Sequence, residues 1–378
     1  MDTLLKHICQ YRTNKVDVNH IDLDMYVSTE NMLPNKQGIC ISKSYPESGY
    51  VNEYKQGDIL ISNIRPYFKK IYLAKNDGGC SADVLVITPQ KGINNVFLYY
   101  LLSQDSFFDY VMSGSKGCKM PRGDKKYIME WSIPVFDSIN QQQIAGILSS
   151  LDAKIETNNK LNVKLEEMAQ AIFKSWFVNF EPFKDRPFHE TELGMIPEGW
   201  EVGSILDIAE LFDFQRKPLS SMEREYMKGK YPYYGATSIM DYIDKYIFDG
   251  TYLLMGEDGS VVKENGNPYL QYVWGKFWPN NHAHVMQGRN GFSTEMLYCL
   301  LSITDVSSIV TGAVQMKISQ RSMSRLLTVI PSKSVCKKFN TIIRPIFDII
   351  KRIREENDRL ASLRDTLLPR LMSGEIKI

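Results

Sequence analysis

The chain has 378 residues, 43% of them hydrophobic and 24% charged, enough for two or three domains with ordinary cores. Its net charge is +1, so any nucleic-acid surface must come from local clustering of Lys and Arg rather than from bulk charge. No run approaches 18 apolar residues, Met1-Asp2-Thr3 leads into polar text, and Cys9, Cys40, Cys80, Cys118, Cys299 and Cys336 contain no C-x-x-C pair. A membrane span, a secretory leader and a zinc knuckle are therefore not expected, whereas reduced thiols and a cytoplasmic setting are.

In chain order, residues 1–137 read as a mixed α and β domain. Residues 54–64, 71–74 and 83–88 are strand-like and separated by Gly, Asn, Asp and Pro. Arg65, Lys69 and Lys70 are candidates for touching a phosphate backbone. A denser stretch follows the Gly-bearing loop 113–117, with Lys116, Lys119, Arg122, Lys125 and Lys126 against Asp124 alone. Residues 138–180 read as a long helix. Ile144, Leu151, Leu165 and Ile172 recur at heptad spacing, with Leu148, Ile155 and Ala169 beside them, and Asn158 and Asn162 interrupt that seam.

Residues 181–193, rich in charge and holding Pro182 and Pro187, read as an exposed linker. The chain then repeats itself. Ile330-Pro331 stands 197 positions after Ile133-Pro134, each preceded by a Gly-bearing loop (113–117 and 311–315) and followed by a helix. Glu156-Thr157-Asn158-Asn159-Lys160-Leu161 aligns with Glu355-Glu356-Asn357-Asp358-Arg359-Leu360. In the second domain, 194–332, residues 246–255 and 269–273 read as strands. Its candidate DNA contacts are Arg216, Lys217, Lys228, Lys230, Lys317 and Arg321, with Tyr233 and Tyr234 as aromatic surface. In the last helix, 333–378, Phe339, Ile346, Ile353, Leu360 and Leu367 recur every seven residues, with Ile342, Ile349 and Leu363 as companions. The expected fold is α+β: two mixed α/β domains separated by two long helices pairing as an antiparallel coiled coil, with pseudo-two-fold duplication. Two ordinary amphipathic core helices are the plainer alternative, but both runs exceed the usual helix length.

Enzyme motifs are missing. No G-x-x-x-x-G-K-[ST] loop occurs, and Gly256-Glu257-Asp258-Gly259-Ser260 is acidic and reads as a turn. Asn267-Pro268-Tyr269 lacks the second proline of an adenine methyltransferase motif. Glu375-Ile376-Lys377, with Asp365 upstream, lies on a chain end too loose for metal geometry. His282 and His284 alternate as metal ligands might, yet no third ligand is evident nearby, and structural hydrogen bonding is the preferred reading. No metal is expected.

Several stretches, in order on the duplicated frame, resemble the specificity subunits of type I restriction-modification systems. They are Ile196-Pro197-Glu198-Gly199-Trp200, Tyr231-Pro232-Tyr233-Tyr234-Gly235-Ala236-Thr237, Tyr246-Ile247-Phe248-Asp249-Gly250 and Asn281-His282-Ala283-His284-Val285. Ala169-Gln170-Ala171-Ile172-Phe173-Lys174-Ser175-Trp176-Phe177-Val178 resembles the end of the family's central helix. Leu363-Arg364-Asp365-Thr366-Leu367-Leu368-Pro369-Arg370-Leu371 with Ser373-Gly374-Glu375-Ile376 resembles its C-terminal one. The resemblance implies two target-recognition domains that read the halves of a split double-stranded DNA sequence. It implies two modification subunits that bring S-adenosylmethionine and methylate adenine at N6 after flipping it out. It also implies restriction subunits that use ATP and Mg, and no cofactor in this chain. A helix of about 35–38 residues spans roughly 50–57 Å, enough to hold readers over half-sites about 34–36 Å apart. A non-enzymatic coiled-coil adaptor, or a relic that no longer reads DNA, is the alternative.

Overall fold

A computed structural model of the chain describes residues 2–312 and 315–378. Of the loop 311–315, Ala313 and Val314 lie outside the described residues. The chain divides into two compact units, Met1–Asn158 with Glu355–Ile378, and Asn159–Arg354. Each unit takes one globular part and one part of each of two 40-residue helices, Ser138–Phe177 and Lys333–Met372. Among the described residues, no helix is long and apolar enough to cross a membrane.

The globular part of the first unit holds two four-stranded sheets. One has the spatial order Cys9–Tyr11, Val84–Pro89, Ile59–Ser62, Ile71–Leu73, all antiparallel. The other runs Lys15–Asp17, Tyr50–Tyr54, Gly78–Cys80, Tyr26–Val27. The run 54–64 is thus two strands rather than one. The chain turns at 55–58, where the Asp58 carboxylate accepts from the Lys55 amide at 2.8 Å, a local bond that competes with strand pairing. Ile59, Ile61, Leu85 and Ile87 point from the first sheet onto the helix Asn95–Leu102.

The second unit repeats the order of the first sheet but not that of the second, whose outer strand Ile239–Ile243 joins the edge beside the parallel pair. Ala209–Leu211, Ala283–Gly288, Tyr252–Gly256 and Leu270–Val273 form the first sheet, and Ile239–Ile243, Lys228–Tyr234, Lys276–Pro279 and Phe248–Asp249 the second. Here too an expected single strand, 246–255, is split, between Asp249 and Tyr252. The helix Thr294–Ser302 matches Asn95–Leu102 down to its ends. Ser293 and Asn94 accept from the third helical amide of each, and Ser302 and Ser103 return their hydroxyls to the carbonyls of Tyr298 and Tyr99. Each unit closes with a strand paired to its opening: Ser132–Pro134 on Asp2–Leu4, and Leu327–Ile330 on Glu201–Ser204.

Residues 181–193 do not form a bare linker. Phe183 is buried against Trp176 and Trp200, and Phe188–Thr191 pairs with Gly194–Pro197 as a hairpin. The polar composition of this stretch conceals one aromatic anchor whose burial holds it down.

The helices pair antiparallel within each unit. In the first, Asp152 meets Arg364 (2.6 Å) while Asn158 meets Glu356 (2.8 Å). In the second, Glu166 meets Arg354 (2.7 Å), and Phe173 and Phe177 pack on Phe339. In the first helix Ile144, Leu148, Leu151, Ile155, Leu165 and Ile172 face inward, with Asn158 and Asn162 buried among them. In the second helix the expected companions are wrong: Ile342, Ile349 and Leu363 are 39%, 41% and 48% exposed. Ile343 and Ile350 take that role beside the correctly placed Phe339, Ile346 and Ile353, with Leu360 and Leu367 half-buried further on. Continuing the observed spacing of four and three brings Asn357 and Arg364 to the seam. Polar residues at those positions hide the true register from a reading that follows apolar residues alone.

Candidate nucleic-acid interface

Four segments converge at one end of the central strand in each unit, held by the same main-chain bonds. In the first, Arg12 N donates to Val86 O, Asn63 N to Asp83 O, Gly123 N to Asn63 O and Arg65 N to Pro121 O. In the second, Phe212 N donates to Val285 O, Glu257 N to His282 O, Ile318 N to Glu257 O and Gly259 N to Met316 O. The basic loops lie in this frame. Lys116 bridges Arg122 and Thr311 bridges Lys317, and these closing residues pair in turn with Ile64 and Asp258. Gly117 and Gly312 both turn left-handed, and a Cβ on Gly312 would lie 2.2 Å from Gln315 O. After each loop comes a one-turn helix capped by Asp124 or Ser319.

The first unit fills the frame with charge. Arg65 adopts φ 50°, the left-handed region, where the second unit has Gly259. For a non-glycine residue this costs about 1–3 kcal/mol, and the Arg65 Nε is buried without a partner. Lys69 is also left-handed and bonds Asp105 at 3.0 Å. Between them Tyr67 and Phe68 are exposed. Lys70 is turned inward, donating to Thr29 O at 2.7 Å, and burial lowers its pKa. Arg122 reaches Asp83 at 3.1 Å. Lys116 reaches Asp124 at 2.8 Å, and that bond with the helix-capping amides brings the Asp124 pKa down to about 2. Lys119, Lys125 and Lys126 are exposed.

Two expectations fail in the second unit. Tyr233 adds no surface: it is buried, its hydroxyl accepts from Leu219 N, and Arg224 covers its ring. The strand alternation directs it into the sheet. Tyr234 packs on Phe277. Arg216 is internal, bonding Glu257 at 2.7 Å and Ala283 O at 2.6 Å, with Asp213 at 3.5 Å. Lys217 is exposed while its carbonyl accepts from Trp278 Nε1. Lys228 pairs with Asp241 and Lys230 lies over Tyr231. Lys317 bonds Glu257 at 3.2 Å, and Arg321 is exposed.

The two histidines separate. His282 precedes its strand and bonds Asp258. His284 is buried, with Nδ1 2.6 Å from Asp213 and Nε2 donating to Ile318 O at 2.7 Å. Asp213 and Glu257, distant in sequence, bring carboxylates to His284, and the three ligand atoms lie within 4.8 Å of one another. The Arg216 guanidinium already lies between these carboxylates and Lys317 flanks them, so a cation entering the cluster would have to displace Arg216. Burial pushes the Asp213 pKa up, but hydrogen bonds from His284, Val285 N and Gln320 and the charge of His284 outweigh it, and the net shift is down.

One sheet-and-loop frame built twice, each copy carried on part of a helix pair, defines a duplicated α+β protein with two unlike surfaces on a shared scaffold pattern. A family profile described as the type I restriction modification DNA specificity domain matches residues 6–167 and again 197–361, and the chain belongs to this family. It is 26% identical over 343 residues to the type I restriction enzyme MjaIX specificity subunit of Methanocaldococcus jannaschii, covering 86% of this chain and 79% of that protein. It is 24% identical to the type I restriction enzyme HindI specificity subunit of Haemophilus influenzae, over 96% of both. The crystal structure of the type I restriction-modification S subunit from M. genitalium shares the fold, with a TM-score of 0.56 and 17% identity over 98% of this chain and 96% of that one.

Proposed function

We propose that the chain is the DNA-reading, non-catalytic subunit of a type I restriction-modification complex, each unit reading one half of a split, asymmetric target. The observation that carries this reading is the shared frame. Both units bring the same four segments together, yet fill them differently: Arg65 and Arg122 in one, Gly259 and Lys317 in the other. One frame with unlike side chains suits two readers of unlike sequences.

In this reading the recognition domains are 1–137 and 194–332. The helices 138–180 and 333–378 hold them and receive two modification subunits, which use S-adenosylmethionine for adenine N6 methylation. Restriction subunits supply the ATP- and Mg-dependent steps, and this chain binds no cofactor. The proposed setting is the cytoplasm. The test is a map of adenine methylation in the native genome with and without this gene. A two-part methylated motif should vanish with the gene, and exchanging residues 194–332 for a relative's should change one half of it. Methylation without sequence preference would make the chain an adaptor instead.

A further inference from the structure

The ionic cluster of the second unit is not required by the frame. At the equivalent backbone positions the first unit carries Thr13, Asn63 and Leu85 where the second carries Asp213, Glu257 and His284. The same first sheet and the same loop closures form there without it. In the second unit the cluster ties four segments by side chains. Asp213 and Arg216 hold one, Glu257 a second, His284 a third, and Lys317 with Gln320 the fourth.

Between the anchored Asp213 and Arg216 lie Phe214 and Gln215, on the one-turn helix Asp213–Gln215. Phe214 is 80% exposed, although Phe212 just before it packs on Tyr252. With a buried charged residue on its N-terminal side and another two positions on, Phe214 cannot turn into the core. The neighbouring acids Asp213 and Glu257 are buried and paired, and Asp258 is engaged by His282. The exposed rim is cationic and amide: Lys217, Lys317, Gln320 and Arg321. An apolar point ringed by phosphate-seeking and base-edge groups matches a DNA groove. Aromatic and other apolar side chains contact thymine 5-methyl groups there, and glutamine pairs with the N6/N7 edge of adenine.

We propose that Phe214 and Gln215 are specificity-determining residues of the second unit: Phe214 packs on a thymine 5-methyl group and Gln215 bonds a nearby adenine. The buried cluster around His284 is the positioning device that presents them. This rests on the DNA-reading function proposed above. The first unit has no such tip, since the chain runs from Thr13 directly into the strand Lys15–Asp17, so the contact belongs to one half of the target.

The test uses the full chain in complex with its modification subunits. Genomic methylation is sequenced for wild type, Phe214→Ala, Gln215→Ala and Phe214→Leu. Each alanine variant should relax one position in the half assigned to residues 194–332 and leave the other half intact, while Phe214→Leu, which keeps an apolar contact, retains the motif. In parallel, purified complex is titrated with cognate duplexes in which each thymine of that half is replaced by uracil, which lacks only the methyl group. Wild type should lose about fivefold or more in affinity at one thymine, and Phe214→Ala should bind both duplexes equally. An unchanged motif in both alanine variants, with wild type indifferent to every uracil, overturns the tip while leaving the reading function standing. A wild-type complex with no methylated motif overturns both.

Discussion

Asn158 of the first long helix donates from Nδ2 to Asn357 Oδ1 of the second at 2.9 Å, with Glu356 accepting from the same nitrogen at 2.8 Å. Asn158 is only 2% exposed. A buried polar layer in a helix seam fixes register, because sliding either helix by one turn would strand the amide among apolar groups.

Asn158→Ala should therefore lower the stability of the full chain by about 1–3 kcal/mol, the cost of leaving buried partners unmatched. Asn158→Asp should be worse, placing a second carboxylate beside Glu356. Thermal melts of both variants give the answer, and melting points equal to wild type would remove the layer from any structural role.

The two isoleucines at 349 and 350 separate the observed seam from the expected one. Ile350 is buried and Ile349 is not. Ile350→Asp should cost several kcal/mol through a buried unpaired charge, enough to abolish soluble complex. Ile349→Asp should stay within about 0.5 kcal/mol of wild type. Equal effects of the two would refute the register.

Lys119 has an exposed side chain in the loop closed by Lys116 and Arg122, while Lys116 is shared with Asp124. If the loop lies on phosphate, Lys119→Ala should reduce the slope of log affinity against log salt by about 0.9 per lost contact. Asp124→Asn should free Lys116 and steepen it. Arg122→Ala should instead alter the motif at one position. Salt titrations on cognate and non-cognate duplexes, beside melting curves, read all three, and unchanged slopes and motif would return the loop to ordinary solvated surface.

Asp213 supplies a pH dependence. Its folded pKa is below the ordinary carboxylate value, so the stability it contributes is complete above the unfolded value of about 3.9. That stability is lost as pH falls through the lower folded value. Asp213→Asn should flatten the acid limb of melting temperature against pH below about 4 and leave the limb above neutrality in shape. A variant whose acid limb overlays wild type would show that the cluster is not ionised as drawn.

The duplication was legible because its text repeats, and the first helix seam because it keeps heptad spacing, with even the interruptions at Asn158 and Asn162 visible; most strands were not, being short and broken by turns such as 55–58 and 250–251. The second seam was not, since Asn357 and Arg364 carry its register and a search for apolar companions slides to Ile342 and Ile349. Arg216 and Tyr233 look like surface groups in the sequence, and only long-range partners, Glu257 and Leu219, draw them inward. Phe214 leaves no sequence signal: one phenylalanine among polar residues reads as core until the fold puts buried charge beside it.

The bridges that close 116–122 and 311–317 also bear on inheritance. Each fixes the two ends of a short loop by main-chain bonds that do not depend on the side chains between them. Loop closure is only weakly sensitive to length, about 0.6 kcal/mol for each doubling. Apart from Gly117 and Gly312, whose left-handed turns a side chain would strain, the interior residues can be rewritten or the loop lengthened over generations while the scaffold below keeps its shape. In the proposed reading, a lineage exposed to changing foreign DNA can then acquire new targets by small edits at two surface cassettes, without rebuilding the protein that carries them.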